Sequence, residues 1–578
     1  MKFNNLLLLS TTIVGVAMAT MNMMDHQDED NNHDISTTSA DLDPSDPSDP
    51  SDPSETPIPH VMKHQHGGVP ILETKLLPIE QKFWESYNTT TYFNIESNHR
   101  TSLYLHIFSG LFTIFIIYPF CLIFNNLRLN KFYFVTLIVH TGFMLFSILN
   151  YSIFIGSLVE DIYPNNAYNK MIIILLITTI IQPIIYLIKL IDPNSDKGNY
   201  LSLSSSSSSS DLSAFEIDDK PIPQPATNRR LNFLNSGRLG KFRKYFATTK
   251  FHKFSVILFN FLNWGHFFYF IVLIPTAVAT FCLYGKGKTV FNLLAHFIKG
   301  GVFLSYGILS LARYSGAFKN KGWSWNHKFI KSNETISTWF KFQNKGLWTM
   351  EMIESSLILF YGSTNIFLEH LANSGGEWSP KDLQHVSIAF IFIGCGLCGV
   401  ITELKLQNWR FEQATKNSND SKIIKASPGF SPNPFPILTI YWTGVLMSKH
   451  EQASELSTEI HVQWGNLFIL GCVFRFLTYI ILLLNSNMNK NLTTPTRPIT
   501  ELIVSFSLIC GGLIFMESTD PVILSFEYYG FTSMFTLNIS LGLVTLFMSW
   551  EMSLFAIKDR LKEKYESKPK EIQNNEQV

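Results

Sequence analysis

The stretch MIIILLITTIIQPIIYLIKL, residues 171–190, carries one charged side chain, Lys189. At about 1.5 Å of rise per residue, a helix of that length is roughly 30 Å long, the thickness of a bilayer's hydrocarbon core. A helix apolar all round belongs inside a large core or a membrane. Working outward in both directions, the pattern recurs. Eleven apolar spans run near 102–124, 132–157, 170–190, 254–283, 289–311, 347–369, 385–404, 434–449, 462–484, 500–516 and 531–556. The predicted fold class is all-α, a polytopic integral membrane helical bundle of about eleven transmembrane helices. Composition agrees: 16% of residues are charged, against about 25% in soluble domains. There is no basic tract interleaved with aromatics, and the net charge is zero, so nucleic acid is excluded as a partner. The lipid bilayer is the partner that composition demands.

Charge outside the spans sets the orientation. Residues 1–19 read as a signal peptide: Lys2, an apolar run from Leu6 to Val16, then Ala17-Met18-Ala19 before the cleavage point. Residues 20–100 read as a luminal or extracellular disordered segment, where repeats of Asp43-Pro44-Ser45 type cannot pack a core. His60, His64 and His66 lie in this solvated segment, and Asn88-Thr89-Thr90 is a glycosylation acceptor within it. With the N-terminus outside, the cytosolic loops collect Arg128 and Lys131, then eight basic residues from Arg229 to Lys253, seven from Arg313 to Lys345, and five from Lys405 to Lys425. The outer loops and their edges hold Lys170, Lys286, Lys288, Lys381 and Lys449. That bias predicts a luminal or extracellular N-terminus and a cytosolic C-terminus, in the endomembrane system or plasma membrane. A Ser run, Ser204 to Ser210, marks 191–253 as a cytosolic linker. It separates a three-helix unit, 101–190, from a C-terminal membrane unit, 254–557, which a cytosolic tail, 558–578, follows.

Ionisable groups in hydrocarbon are costly and mark candidate sites. His106 and His296 fall about 6 and 10 Å below the outer boundary, and His140 and His266 about 12 and 18 Å above the inner one. Two stacked pairs of imidazoles could clamp two b-type haems, since haem iron accepts a neutral imidazole on each face. A second set gathers at the outer interface. His370 ends the sixth span, His385 begins the seventh, His450 ends the eighth, His461 begins the ninth and Glu517 ends the tenth. Imidazole with carboxylate suits a transition-metal ion. Lys299 lies one turn from His296, with Glu354 in the next span as a carboxylate for it. All six cysteines fall in apolar blocks. Cys395 and Cys398 have redox-pair spacing, but Gly394, Gly396 and Gly399 around them read as a helix-packing stripe.

Several motifs carry a family resemblance. Glu369-His370-Leu371-Ala372, Gly375-Gly376-Glu377-Trp378 and Leu383-Gln384-His385-Val386-Ser387-Ile388-Ala389-Phe390 are similar to segments of the fungal Ytp-type transmembrane proteins. So are Asn433-Pro434-Phe435-Pro436, Trp442-Thr443-Gly444 with His450, and Ser457-Thr458-Glu459-Ile460-His461-Val462-Gln463-Trp464. The resemblance implies an N-terminal domain of unknown function and a C-terminal Ytp-type domain. The N-terminal half also looks distantly like the dihaem b-type cytochromes, which implies electron transport. That resemblance departs at the third span, Met171 to Leu190, which has no His. The leading expectation is a redox or metal-binding membrane protein of the secretory pathway, with haem b or a transition metal as cofactor and an electron donor or metal ion as partner. A transporter of metal ions or protons, with Lys299, Glu354 and Arg475 lining a polar path, is the alternative. A non-catalytic membrane scaffold is the second.

Overall fold

The computed structural model describes residues 68–189, 249–287, 289–326, 328–330, 347–369, 378, 380–416, 423–425, 432–450, 452–484 and 495–575. The signal peptide, most of the segment to residue 100, the Ser run and His370 lie outside them. Leu77–Phe83 groups apart from the rest of the described chain. There Glu80 accepts the Leu77 N–H at 2.9 Å at the start of a short helix, Pro78–Glu85. The long helices all belong to the larger unit.

Each of the eleven apolar spans falls on a helix. These are α1 Arg100–Asn126, α2 Asn130–Gly156, α3 Ala167–Lys189, α4 Thr249–Phe281, α5 Thr289–Tyr314, α6 Met350–Glu369, α7 Pro380–Lys416, α8 Phe435–Ser448, α9 Glu455–Leu484, α10 Thr500–Glu517 and α11 Ser533–Asn575. Among the described residues, nine are long and apolar enough to cross a membrane. The other two are α6, which carries Glu351 and Glu354, and α8, with only 14 residues from Phe435. Eleven crossings is therefore an upper reading of the pattern. A three-residue antiparallel ribbon pairs Lys328–Ile330 with Ile423–Lys425. The last helix does not stop at the membrane edge but continues through the expected tail to Asn575.

The helices group by packing into a first bundle, α1 to α4, and a second, α5 to α11. Leu103, Tyr118, Met144, Phe154, Leu175, Phe270 and Phe281 share one core. The fourth span thus completes the bundle begun by the first three, although 191–253 separates them in sequence. Tyr118 donates to the Asn263 carbonyl at 2.6 Å and Tyr133 to Asn263 Oδ1 at 3.0 Å, tying α4 to α1 and α2. In the second bundle α10 is central, with 72% of its apolar stretch buried against 17–39% for the other eight spanning helices. Glycines permit this. A Cβ on Gly300 would meet the Gly512 carbonyl at 2.6 Å, and one on Gly512 the Leu304 nitrogen at 2.5 Å, so α5 and α10 touch backbone to backbone. Gly396 and Gly399 likewise lie against Leu359 and Ser355 of α6, and Cys398 is exposed. Gly396 and Gly399 therefore serve packing, whereas a Cβ on Gly394 would meet nothing within 4 Å. Outward, Phe108 (69% exposed), Phe261 (70%) and Leu546 (70%) show the apolar surface that only lipid solvates.

Proline explains one contact between the bundles. Pro119 has no N–H for the carbonyl of Phe115, four residues earlier, and a π-type turn, Thr113–Ile117, precedes it. Trp550 Nε1 of α11 donates to that carbonyl at 2.8 Å.

Candidate functional site

Three of the four histidines expected to hold haem, His106, His140 and His266, lie in the first bundle, and the fourth, His296, lies in the second. His106 is buried, with both ring nitrogens engaged. Nδ1 lies 2.9 Å from the Ser147 carbonyl and Nε2 lies 2.7 Å from the Tyr168 hydroxyl. A carbonyl only accepts, so the neutral ring carries its proton on Nδ1 and accepts from Tyr168. Tyr151 and Phe281 close over the ring. The outer pair, His106 with His296, does not form, because α1 and α5 belong to different bundles. Depth along a helix gives level but not neighbour.

The inner pair does form. His140 and His266 have ring centres 6.3 Å apart and planes at 32°. His140 is 1% exposed and His266 3%. Neither ring nitrogen of His140 has a hydrogen-bond partner, and neither does His266 Nδ1. His266 Nε2 lies 2.9 Å from Thr178 Oγ1, whose own proton has the Ile174 and Leu175 carbonyls at 3.0 and 3.1 Å. Thr178 therefore accepts from Nε2–H, and Nδ1 keeps the lone pair. Two imidazoles on one metal stand with ring centres roughly 5–6 Å apart, the larger figure for opposite sides of the ion. The 6.3 Å between this pair of rings stands at the far end of that range. For haem, a further ring matters. Tyr118 stands 5.8 Å from His140 and 6.5 Å from His266, in the plane that a macrocycle between them would occupy. Haem between the two rings would require Tyr118 to turn aside, and a small ion would not.

The residues expected to share one outer metal site separate into pairs. His385 of α7 and His450 beyond α8 have ring centres 6.1 Å apart. His461 of α9 meets His296 of α5 at 6.0 Å, with ring planes at 89°. The Glu517 carboxylate accepts from Ser540 Oγ at 3.0 and 3.1 Å. Among the described residues no three His, Cys, Asp or Glu converge on one point. Among the described residues the expected outer set is thus seen as the pairs His385–His450 and His296–His461, with Glu517 held by Ser540.

At the opposite end of the second bundle lies a buried ionic network. Arg475 Nε stands 2.9 Å from Glu501 Oε1, though its N–H is not aimed along that line. Arg475 also reaches Tyr306 Oη and Ser310 Oγ, each at 3.2 Å. Glu354 Oε1 accepts from Tyr306 at 2.5 Å and from Arg313 at 3.4 Å. Trp325 lies under both guanidiniums, 4.3 Å from that of Arg313 and 5.1 Å from that of Arg475. Glu354 thus answers arginines rather than Lys299. Glu354 and Arg475, expected to line a polar path, both take part in this buried ionic network.

Two family models cover most of this architecture. Residues 269–559 match "Protein YTP1-like, C-terminal" and residues 86–191 match "Domain of unknown function (DUF2427)". The uncharacterised membrane protein YCR061W of Saccharomyces cerevisiae is 40% identical over 87% of this chain and 90% of its own length. The chain belongs to the YTP1-like family. The uncharacterised membrane protein C3B8.06 of Schizosaccharomyces pombe is 39% identical over 51% of the chain and 57% of its own length. Protein YTP1 of S. cerevisiae is 22% identical over 43% of the chain and 42% of its own length. No solved structure matches the chain.

Within the YTP1-like frame, His106 and His140 lie in the N-terminal domain match, and His296, His385, His450 and His461 in the C-terminal one. His266 stands three residues before the C-terminal match begins. Sequence reasoning missed Tyr168, Arg313, Glu501 and Trp325. Tyr168 stands on the third helix, which has no histidine, and supplies the partner that His106 needs. Arg313 reads in sequence as a loop charge and Glu501 as a span edge. Their signal is their place within one turn of a span end, where length alone does not tell buried from solvated.

Proposed function

We propose that this YTP1-like protein is a redox-active membrane protein with a metal centre held between His140 and His266. The observation that carries the reading is a fully buried imidazole, His140, with no hydrogen-bond partner, at ligand spacing from a second imidazole whose lone pair Thr178 assigns. An unpaired polar group in hydrocarbon costs several kcal/mol, roughly 2–7, and a metal would satisfy His266 Nδ1 and one of the two unpaired nitrogens of His140. Iron is the first candidate, because two imidazoles on opposite sides of the ion suit its six-coordinate preference. Bound there, it would supply one-electron chemistry. The protein's part is to hold two neutral imidazoles, fix the His266 tautomer through Thr178, and keep water out with Tyr118 and Phe270.

The test is an absorption spectrum with metal analysis of the full-length protein purified from its native host. One iron or copper per chain is expected, lost in His140→Ala and in His266→Ala. A sharp visible band would identify haem, and metal without that band a mononuclear ion. Neither haem nor stoichiometric metal would overturn the reading.

The orientation follows the basic residues, with the histidine end of the second bundle luminal or extracellular and the arginine end cytosolic. Asn88 is exposed, and its side chain accepts the Thr90 N–H at 2.9 Å. Carbohydrate at Asn88, seen as a gel shift lost in Asn88→Gln, is expected for this orientation. A non-glycosylated Asn88 in the native host would argue for the reverse.

A further inference from the structure

Six buried polar atoms in the middle of the first bundle have no hydrogen-bond partner among the described residues: both ring nitrogens of His140, His266 Nδ1, Thr179 Oγ1, Gln182 Oε1 and Asn263 Nδ2. Their residues are 0–3% exposed. Contacts between α3 and α4 set the levels. Phe259 packs on Tyr186, His266 meets Thr178 and Tyr269 meets Met171, so the two helices run antiparallel. Asn263 is one turn from His266, and Gln182 one turn from Thr179. Both therefore lie between the histidines and the Tyr186–Phe259 contact, about 5 Å along the bundle from the pair. Tyr133 joins them: its hydroxyl donates to Asn263 Oδ1 at 3.0 Å and is hydrogen-bonded to the Gln182 side chain. Its one proton is thus spent, so the Gln182 amide donates to it and leaves Oε1 unpaired. Aromatic rings close both ends of this layer. Tyr133, Tyr186 and Phe259 pack together with ring centres 4.6–5.7 Å apart. Tyr118 and Phe270, which shut bulk water out, meet at 5.1 Å on the other side.

We infer that this layer of the first bundle is a binding site for an enclosed cluster of ordered water, held by Thr179, Gln182, Asn263 and one nitrogen of His140. Asn263 Nδ2 donates, Gln182 Oε1 accepts, and Thr179 and His140 can do either. A mixed set of uncharged donors and acceptors is what water satisfies, since each buried molecule makes about three hydrogen bonds to such groups. The inference does not rest on the metal centre. An ion between the histidines would satisfy two of the six atoms and leave four, among them the second nitrogen of His140. Water there holds the ring as it commonly holds a ligating histidine.

Hydroxyl-radical footprinting of the full-length protein in detergent tests this, because a microsecond X-ray pulse makes radicals from bound water that oxidise the side chains beside it. Tyr118 and Tyr133, 3% and 1% exposed, are expected to be oxidised. Tyr168, 3% exposed but in the layer where His106 is satisfied, is expected to stay unmodified. Thr179→Val and Gln182→Met should each bring a loss of labelling at Tyr118 and Tyr133. Labelling there no greater than at Tyr168, or labelling that neither variant lowers, overturns the proposal. Thermal unfolding gives an independent reading. Valine has the shape of threonine, so at a dry site it removes an unpaired hydroxyl and raises the melting temperature. At a hydrated site it takes a partner from water and lowers it. A lower melting temperature is expected for Thr179→Val, and a higher one overturns the proposal. Metal content of the same samples reads the His140–His266 centre separately: labelled protein without metal keeps the water site and loses the centre.

Discussion

At the scale of single residues, the arginine end of the second bundle is where electrostatics dominates. Arg475 is 4% exposed and Glu501 0%, in a medium where an isolated charge is prohibitively expensive. The pair is a matter of mutual necessity: each ion is tolerable because the other is there. Removing one partner should therefore cost more than removing both. Arg475→Met is expected to lower stability by about 3–5 kcal/mol, because Glu501 is left buried without its cation. Arg475→Met with Glu501→Met should recover most of that loss, since apolar replacements of similar volume are often neutral. Thermal unfolding in detergent measures both. A double variant no more stable than the single would show that Tyr306, Ser310 and Trp325, which also touch Arg475, hold the local structure by themselves.

At the scale of elements, the sequence is transparent where one physical requirement acts alone. A segment such as Met171 to Leu190 must be a helix, because hydrocarbon offers its backbone no other partner, and all eleven spans are helices. Span ends are legible to within a turn or two except where polar residues run on helically, as in α11 beyond residue 556. Partner choice is not legible. In lipid there is no hydrophobic preference for one neighbour over another, so pairing rests on close approach and specific hydrogen bonds. Gly300 and Gly512 lie more than two hundred residues apart, and nothing in either span announces that they meet. The same limit governs the sites. His140 and His266 match by level and do meet. His106 and His296 match by the same rule and do not, because Tyr168 and Ser147 take His106 while α9 brings His461 to His296. The carboxylates divide similarly. Glu517 has the position of a ligand and instead holds Ser540.

At the scale of the whole molecule, the placement of α4 makes a prediction that the linear order of the chain would not. Everything before residue 191 contains three spanning helices, yet their bundle has four. Among the described residues, four side-chain hydrogen bonds join α4 to the first three helices: Tyr118 and Tyr133 to Asn263, His266 with Thr178, and Tyr269 to the Met171 carbonyl at 2.6 Å. In a membrane such bonds contribute about 1 kcal/mol each, and Phe270, Leu273 and Phe281 add packing against Met144, Phe154 and Leu175. A chain cut within the Ser run, into residues 1–206 and 207–578, should therefore reassemble when both pieces are made in one cell. Affinity capture of one piece should bring down the other in mild detergent. Because His140 and His266 would then sit on different pieces, the metal of the proposed centre should be present in the captured pair and in neither piece made alone. Independent folding of the two pieces, with no co-capture, would mean that the connection through 191–253 holds α4 in place rather than its contacts. Co-capture without metal would separate the architecture, which would stand, from the chemistry assigned to it.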